Sequence, residues 1–337
     1  MFKEMLQHDE TLFKDELVLD YDYLPKILKF REGQQQHFAT IIKPLLQKRN
    51  GSNLFIYGSP GIGKTAACKH VLREMETETD AVVPIYINCW KHDTVYKILV
   101  EICNQLNYKW VQNKKTDELM KAVSEILNKK AAVFILDEVD KLKEEQIIYQ
   151  LLEDIYKKCI FMITNEKDYL AKLDQRVKSR LLPEMLEFKP YTYDETEGIL
   201  AERKDAGFFP GVFSETAFTK IVETCFEKQD VRVGIFLLKQ SANNAENTSQ
   251  RKVMISHVEE ATQKLDPFDK AKVDMDEQDK EILNIVKQNP GLTIPQVHEQ
   301  FSRKFDKSIR TVRRKLDKLK ETKQIEFKDA PGGCVIV

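Results

Sequence analysis

Gly58-Ser59-Pro60-Gly61-Ile62-Gly63-Lys64-Thr65 is the stretch on which the reading of this 337-residue chain turns. It has the spacing G-x-x-x-x-G-K-T, and its surroundings suit that pattern. The short apolar run Asn53–Tyr57 precedes it, and a helix expected over Lys64–Glu76 follows. Glycines let a turn bring backbone amides up to phosphate oxygens with no Cβ in the way, and a helix start adds partial positive charge. The pattern assigns Lys64 to the β- and γ-phosphates of a nucleotide and the Thr65 hydroxyl to Mg²⁺. The contact set it implies is Gly58, Pro60, Gly61, Ile62, Gly63, Lys64, Thr65 and Ala66.

On either side of this loop, buried strand runs alternate with helices. Gln34–Arg49 reads as a helix that Pro44 should bend or restart. Val82–Asn88 is rich in β-branched residues, and Thr94–Gln105 repeats Val95, Ile98, Leu99 and Ile102 at helical spacing. Thr116–Asn128 is another helix, and Ala132–Leu136 and Cys159–Thr164 are continuous apolar strands. This alternation predicts an α/β fold: a parallel sheet covered on both faces.

Two of these strands end in polar groups. Leu136 is followed by Asp137-Glu138, where the carboxyl end of a parallel strand faces the ligand crevice. Asp137 is the candidate for holding Mg²⁺ through its water shell, and Glu138 for polarising the attacking water. Asp140 reads as a cap or surface residue. Asn165 ends the next strand, where its amide could meet a γ-phosphate or the lytic water; taken alone, it is an ordinary turn residue.

After Pro190 the strand signal stops. Asp194–Lys204, Ser214–Phe226, Arg232–Asn247 and Ile255–Lys264 form an all-α block, and Asp266–Asp276 reads as a linker. In the last segment, Thr293-x-x-Gln296 is a capping box. Ser308–Lys320 then places Ile309, Val312, Leu316 and Leu319 on one face. Strands Ile325–Phe327 and Cys334–Ile336 flank a hairpin tip at Pro331-Gly332-Gly333. Helix–helix–helix–hairpin is a winged-helix plan with Ser308–Lys320 in the recognition position. The expected division is 1–190, 191–270 and 275–337.

The charge total conceals a partner. Lys+Arg number 53 against 54 Asp+Glu, a net −1. Residues 302–323 nevertheless hold ten basic and three acidic side chains, a local +7 that leaves −8 for the rest. Lys307, Arg310, Arg313, Arg314 and Lys318 could neutralise DNA phosphates and reach guanine edges, while the acidic bulk would orient docking. A solvated basic helix in a protein-binding winged helix is the alternative. Lys91, His92 and Lys97 are a thinner second contact. With 42% hydrophobic and 32% charged residues, disorder is excluded as the main state. No apolar run reaches the ~18 residues needed to span a bilayer. Six scattered cysteines without zinc spacing, and no signal pattern at the N-terminus, suggest a reduced intracellular protein.

In this order, the phosphate loop, acidic strand end, strand-end Asn and α-helical block resemble an AAA+ ATPase. More closely, the chain resembles the archaeal origin-recognition and replication-licensing initiators. Pro25–Gln34 resembles that family's lead-in, with its Arg31-Glu32 pair, and Asn88–Leu106 resembles its extra helical insertion. Arg176-Val177-Lys178-Ser179-Arg180 resembles its R-V-x-S motif, and Asp230-Val231-Arg232 opens a helix like its second sensor. The resemblance implies an AAA+ base, an all-α lid and a C-terminal winged helix. It makes Asn165 the first sensor and Arg232 the second, associates Tyr191 and Arg203 with nucleotide, and makes Arg176 and Arg180 candidate arginine fingers toward a neighbouring subunit. It further implies slow hydrolysis of ATP to ADP, binding of double-stranded origin DNA, recruitment of a replicative helicase, self-association on DNA, and a cytoplasmic, nucleoid-associated location away from membranes. Two other readings stay open: an AAA+ protein of another branch, such as a transposition helper or clamp-loader relative, and a non-hydrolysing DNA-binding regulator that holds nucleotide structurally.

Overall fold

The computed structural model describes residues 11–265, 277–289, 291–302, 304–305, 308–321, 325, 327–330 and 333–336. The chain divides into two compact units, one ending at Ala261 and the other beginning at Thr262.

In the first unit, α1 (Glu32–Leu46) leads to β1 (Leu54–Tyr57), α2 (Lys64–Glu78), β2 (Val82–Asn88), α3 (Val95–Gln105), α4 (Thr116–Leu127) and β3 (Ala131–Asp137). Then come α5 (Gln146–Asp154), β4 (Lys158–Thr164), the short α6 (Tyr169–Lys172) and α7 (Gln175–Leu181), and β5 (Glu184–Glu187). The five strands are parallel in the order β2-β3-β4-β1-β5. Alternation along each strand sends side chains to opposite faces. Val133, Ile135, Leu54 and Ile56 pack with Phe38, Ile41, Ala67 and Val71 of α1 and α2. Phe134, Leu136, Phe55 and Met162 pack with Ile98, Leu99, Leu119, Val123, Ile147 and Leu151 of α3, α4 and α5. The sheet is therefore covered on both faces, as the apolar runs predict. Pro44 falls in the last turn of α1, which continues to Leu46 and stops short of Arg49. Strand β5 is an addition. Its Glu-Met-Leu-Glu sequence carries no apolar signal because an edge strand need not be buried.

The lid consists of α8 (Tyr193–Gly207), α9 (Glu215–Lys228), α10 (Val231–Asn247) and α11 (Ile255–Gln263). Thr192 and Glu195 form a capping box at the start of α8, and Asp230 caps α10. The lead-in bridges the lid and helix α2. Lys14 and Asp15 donate to the Gly207 carbonyl at 2.8 and 3.2 Å. Farther along, Arg73 of α2 donates to Pro25 O at 2.6 Å.

The second unit contains α12 (Glu277–Gln288), β6 (Leu292–Thr293), α13 (Ile294–Ser302), α14 (Ile309–Glu321), β7 (Phe327–Ala330) and β8 (Gly333–Ile336). Its antiparallel sheet runs β6-β8-β7, a winged helix with one short strand more than predicted. The capping box forms: Thr293 N–H donates to Gln296 Oε1 at 2.8 Å. Val312, Leu316 and Leu319 enter the core with Ile282, Val297 and Phe301. Ile309 does not; it is 46% exposed at the first turn of α14, so the predicted four-residue face narrows to three. The first wing strand starts at Phe327, because Ile325 is buried as a core anchor. The linker Asp266–Asp276, Lys307, Pro331 and Gly332 lie outside the described residues.

Candidate functional site

The residues predicted on three separate strand ends converge. Order β4-β1-β5 puts β1 inside the sheet, and the chain leaves its carboxyl end through the phosphate loop into α2. Gly61 (φ +71°) and Gly63 (φ +88°) occupy backbone conformations that favour glycine. Lys64 Nζ bonds Gly58 O and Ser59 O, both at 2.7 Å, and Asn165 Oδ1 at 2.8 Å. Thr65 Oγ1 donates to Asp137 Oδ2 at 2.7 Å. Beside them lies a cavity of about 450 Å³ lined by Pro60, Gly61, Gly63, Lys64, Thr65, Ala66, Asp137, Glu138, Asn165, Tyr191, Arg203 and Arg232. Gly58 and Ile62 do not line it: Ile62 is a core residue beneath the loop, and Gly58 packs on the Phe188 carbonyl.

The electrostatics suit an anion. Burial lowers the Lys64 ammonium to about 8, with Asp137 opposing the shift. Burial raises the Glu138 carboxyl, and the neighbouring Asp137 and Asp140 carboxylates add to it. Glu138 sits at φ +54°, a conformation unusual for a side-chain-bearing residue and typical of strain held at a functional position. Its N–H donates to Asp137 Oδ1 at 3.0 Å.

Arg232 lines the cavity from α10 but is turned onto its own cap. Nε meets Asp230 Oδ1 at 2.9 Å and Nη2 meets Oδ2 at 2.6 Å. That hydrogen-bonded pairing raises the guanidinium pKa. Asp230 in turn packs on Gly61, where any Cβ would overlap its carboxylate. Arg203 borders the cavity while donating to Val18 O at 2.8 Å and Tyr23 O at 3.1 Å, so it also fastens the lead-in. The Tyr191 hydroxyl occupies the space where a Cβ of Gly63 would go. Arg176 and Arg180 are exposed on α7 and do not line the cavity; Arg180 pairs with Glu153 at 3.4 Å.

Around Asp137 and Glu138, Tyr86 and Asp140 were not legible in sequence as parts of the site. Tyr86 of β2 donates from its hydroxyl to Asp137 Oδ2 at 2.7 Å. Its only signal was a polar hydroxyl within an otherwise apolar strand. Asp140 is neither a cap nor a surface group. Its side chain is 3% exposed, accepts from Thr164 Oγ1 at 2.7 Å and pairs with Lys141 at 2.5 Å. It thereby joins the segment carrying Glu138 to the end of β4.

In the second unit, Arg310, Arg313 and Arg314 are exposed on α14, and Lys318 lies on the same helix. Two of the ten basic residues counted in sequence are paired with acidic side chains of the same unit: Lys315 with buried Asp279 at 2.7 Å, and exposed Lys304 with Glu281 at 2.6 Å. In the insertion, Lys97 pairs with Asp93 at 2.7 Å and His92 lies 3.8 Å from Glu101, while Val95, Ile98, Leu99 and Ile102 are buried. Among the described residues, no cluster of three or more His, Cys, Asp or Glu could hold a metal, and no helix is long and apolar enough to cross a membrane. Cys68, Cys89, Cys103, Cys159 and Cys225 are buried free thiols.

A parallel sheet with this order, a phosphate loop after its inner strand, an acidic strand end and a helical lid together define an AAA+ ATPase. The AAA domain family matches residues 47–168, and the Cdc6 AAA+ ATPase-type lid domain matches residues 197–263. ORC1-type DNA replication protein 2 of Archaeoglobus fulgidus is 32% identical, covering 97% of this chain and 89% of that protein. The protein of the same name from Methanothermobacter thermautotrophicus is 28% identical over 96% of this chain and 90% of its own length. The chain belongs to the ORC1-type DNA replication protein family, in agreement with the resemblance drawn from its motifs. Among solved structures, Aeropyrum pernix ORC1 in complex with DNA superposes with a TM-score of 0.70 at 22% identity, covering 98% of this chain and 94% of that one. Aeropyrum pernix ORC2 in ADPNP–ADP complexes gives 0.73 at 20% identity, covering 96% and 93%.

Proposed function

We propose that this protein is an ATP-regulated replication initiator that binds double-stranded origin DNA through its winged helix and helps recruit the replicative helicase. The observation that carries the nucleotide half of this reading is the pair of bonds Lys64–Asn165 and Thr65–Asp137, which unite three strand ends on one cavity. A hydroxyl and a carboxylate oxygen 2.7 Å apart are hard donors that suit Mg²⁺, an ion that keeps several waters and needs few protein ligands. Thr65 and Asp137 would hold Mg²⁺, which when bound with ATP supplies charge neutralisation at the phosphate oxygens. Lys64 moves from its carbonyl partners to the β- and γ-phosphates. Asn165 orients the water, and Glu138 accepts its proton. Arg232 exchanges Asp230 for the γ-phosphate, so nucleotide state biases the lid. Hydrolysis is slow, as a switch requires. Tyr191 and Arg203 border the nucleotide, and Arg176 and Arg180, both exposed, act on a neighbouring copy when the protein self-associates on DNA, Arg180 by giving up its pairing with Glu153.

DNA contact is assigned to Arg310, Arg313, Arg314, Lys318 and Lys307; the solved ORC1 relative in complex with DNA supports this reading. The division into base (1–190), lid (191–270) and winged helix (275–337) belongs to the same proposal. Genome-wide footprinting in the native cell tests it. Enrichment at a replication start, lost on replacing Arg313 and Arg314 together, is expected; uniform coverage rejects the origin assignment. Glu138→Gln should retain ATP binding and lose turnover; unchanged steady-state hydrolysis rejects the role of Glu138.

A further inference from the structure

Arg31 is a buried cation for which the nucleotide mechanism has no use. It is 4% exposed, and no carboxylate pairs with it among the described residues. The adjacent Glu32 carboxylate accepts instead from Phe30 N–H at 3.0 Å. A guanidinium taken out of water must be compensated. Here the compensation comes from backbone carbonyls and aromatic faces. Nε and Nη2 both donate to Ile62 O, at 3.2 and 2.9 Å, and Nη2 also donates to Lys189 O at 2.9 Å. The guanidinium carbon lies 3.8 Å from the centre of the Tyr191 ring and 5.3 Å from that of Phe188.

The position of that acceptor gives the arrangement a consequence. Ile62 O belongs to the peptide unit joining Ile62 to Gly63, inside the phosphate loop. In a trans peptide the carbonyl and the next N–H point in opposite directions. A fork that draws the Ile62 carbonyl to the back of the loop therefore turns the Gly63 N–H to the front, where Gly63 lines the cavity. Tyr191, stacked on the same guanidinium, fills the space beside Gly63 with its hydroxyl and blocks the opposite rotation.

We infer that Arg31 is a positioning residue of the phosphate site: its planar fork, braced by Tyr191, fixes the Ile62–Gly63 peptide so that the amide faces an incoming phosphate chain. This rests on the nucleotide reading above. It requires the geometry of arginine, since a lysine ammonium carries the same charge on a single point without the planar fork or the stacked face.

The test uses the full chain with Arg31→Lys and Arg31→Gln, titrated with ADP, with inorganic pyrophosphate and with adenosine, alongside thermal melts. Both variants should weaken ADP and pyrophosphate by the same factor, about tenfold or more, and leave adenosine unchanged. A general loosening of the fold would weaken adenosine as much as ADP, and that result overturns the inference. Wild-type affinity for ADP in folded Arg31→Lys also overturns it, because charge alone would then suffice. If Arg31→Gln fails to fold, the Arg31→Lys result decides. Failure of the nucleotide reading is separately visible: wild type would bind no ADP, or Lys64→Ala would bind it unchanged.

Discussion

Replacing Asp279 by alanine removes the carboxylate that faces Lys315 inside the C-terminal unit. The two groups are 2.7 Å apart, with side chains 1% and 11% exposed. Removing one partner of a buried pair costs about 3–5 kcal/mol, because the remaining charge stays out of water and loses a close counter-charge. The unit from Thr262 to Val337 has about 76 residues, for which a total stability of about 4–11 kcal/mol is expected. The substitution should thus remove about a quarter or more of it and lower melting by at least about 12 °C. Both tryptophans, Trp90 and Trp110, lie in the first unit, and no tyrosine follows Tyr193. Far-ultraviolet circular dichroism should therefore gain an early transition that tryptophan fluorescence does not follow. Asp279→Ala combined with Lys315→Met should restore melting, since replacing both charges with apolar groups removes the burial cost. The double variant should also bind DNA with wild-type salt dependence, because Lys315 faces the core. A single-variant loss below about 1 kcal/mol, or a reduced salt slope in the double variant, would refute the reasoning.

Arg313→Ala with Arg314→Ala should leave folding intact and reduce the slope of log affinity against log salt by about 2, measured by titration at several salt concentrations. Raising the pH from 7 to 9 should weaken ADP binding about tenfold. Burial has lowered the free Lys64 to about 8, so the charged form that phosphate requires becomes scarce above that pH and binding must take up a proton. Calorimetry in buffers of different ionisation enthalpy should show that uptake at pH 9 and little at pH 7; flat affinity would disprove the assignment. Gly61→Ala should uncouple lid from loop, because the new Cβ meets the Asp230 carboxylate and the backbone sits at φ +71°. Increased protease cleavage between β5 and α8 would report it.

The site was legible wherever its chemistry is written along a continuous stretch. Lys64, Thr65, Asp137 and Asn165 could each be placed because an apolar strand announces its own end, and in a parallel sheet those ends share one edge. Tyr86, Asp140 and Arg31 were not legible as site residues. Their roles depend on Asp137, Thr164 and Ile62, partners 51, 24 and 31 positions away. Strand β5 was missed because Glu184–Glu187 carries no hydrophobic period, and Ile309 was assigned to the core because period alone does not show where a helix's packing begins.

A net charge near zero and a +7 segment were properties of the sequence, as were the phosphate loop, the alternation of strands with helices and the winged-helix plan. These are local: contiguous backbone amides make the loop, and side-chain period makes each element. The tertiary structure decided how the charges are used. It turned Lys315 inward onto Asp279, paired Lys304 with Glu281 at the surface, left Arg310, Arg313 and Arg314 facing solvent, set Arg232 on Asp230 beside the cavity, and placed an arginine behind the phosphate loop. A charge is defined by its residue, but its effect is defined by what lies within a few ångströms of it, and that distance exists only once the chain has folded.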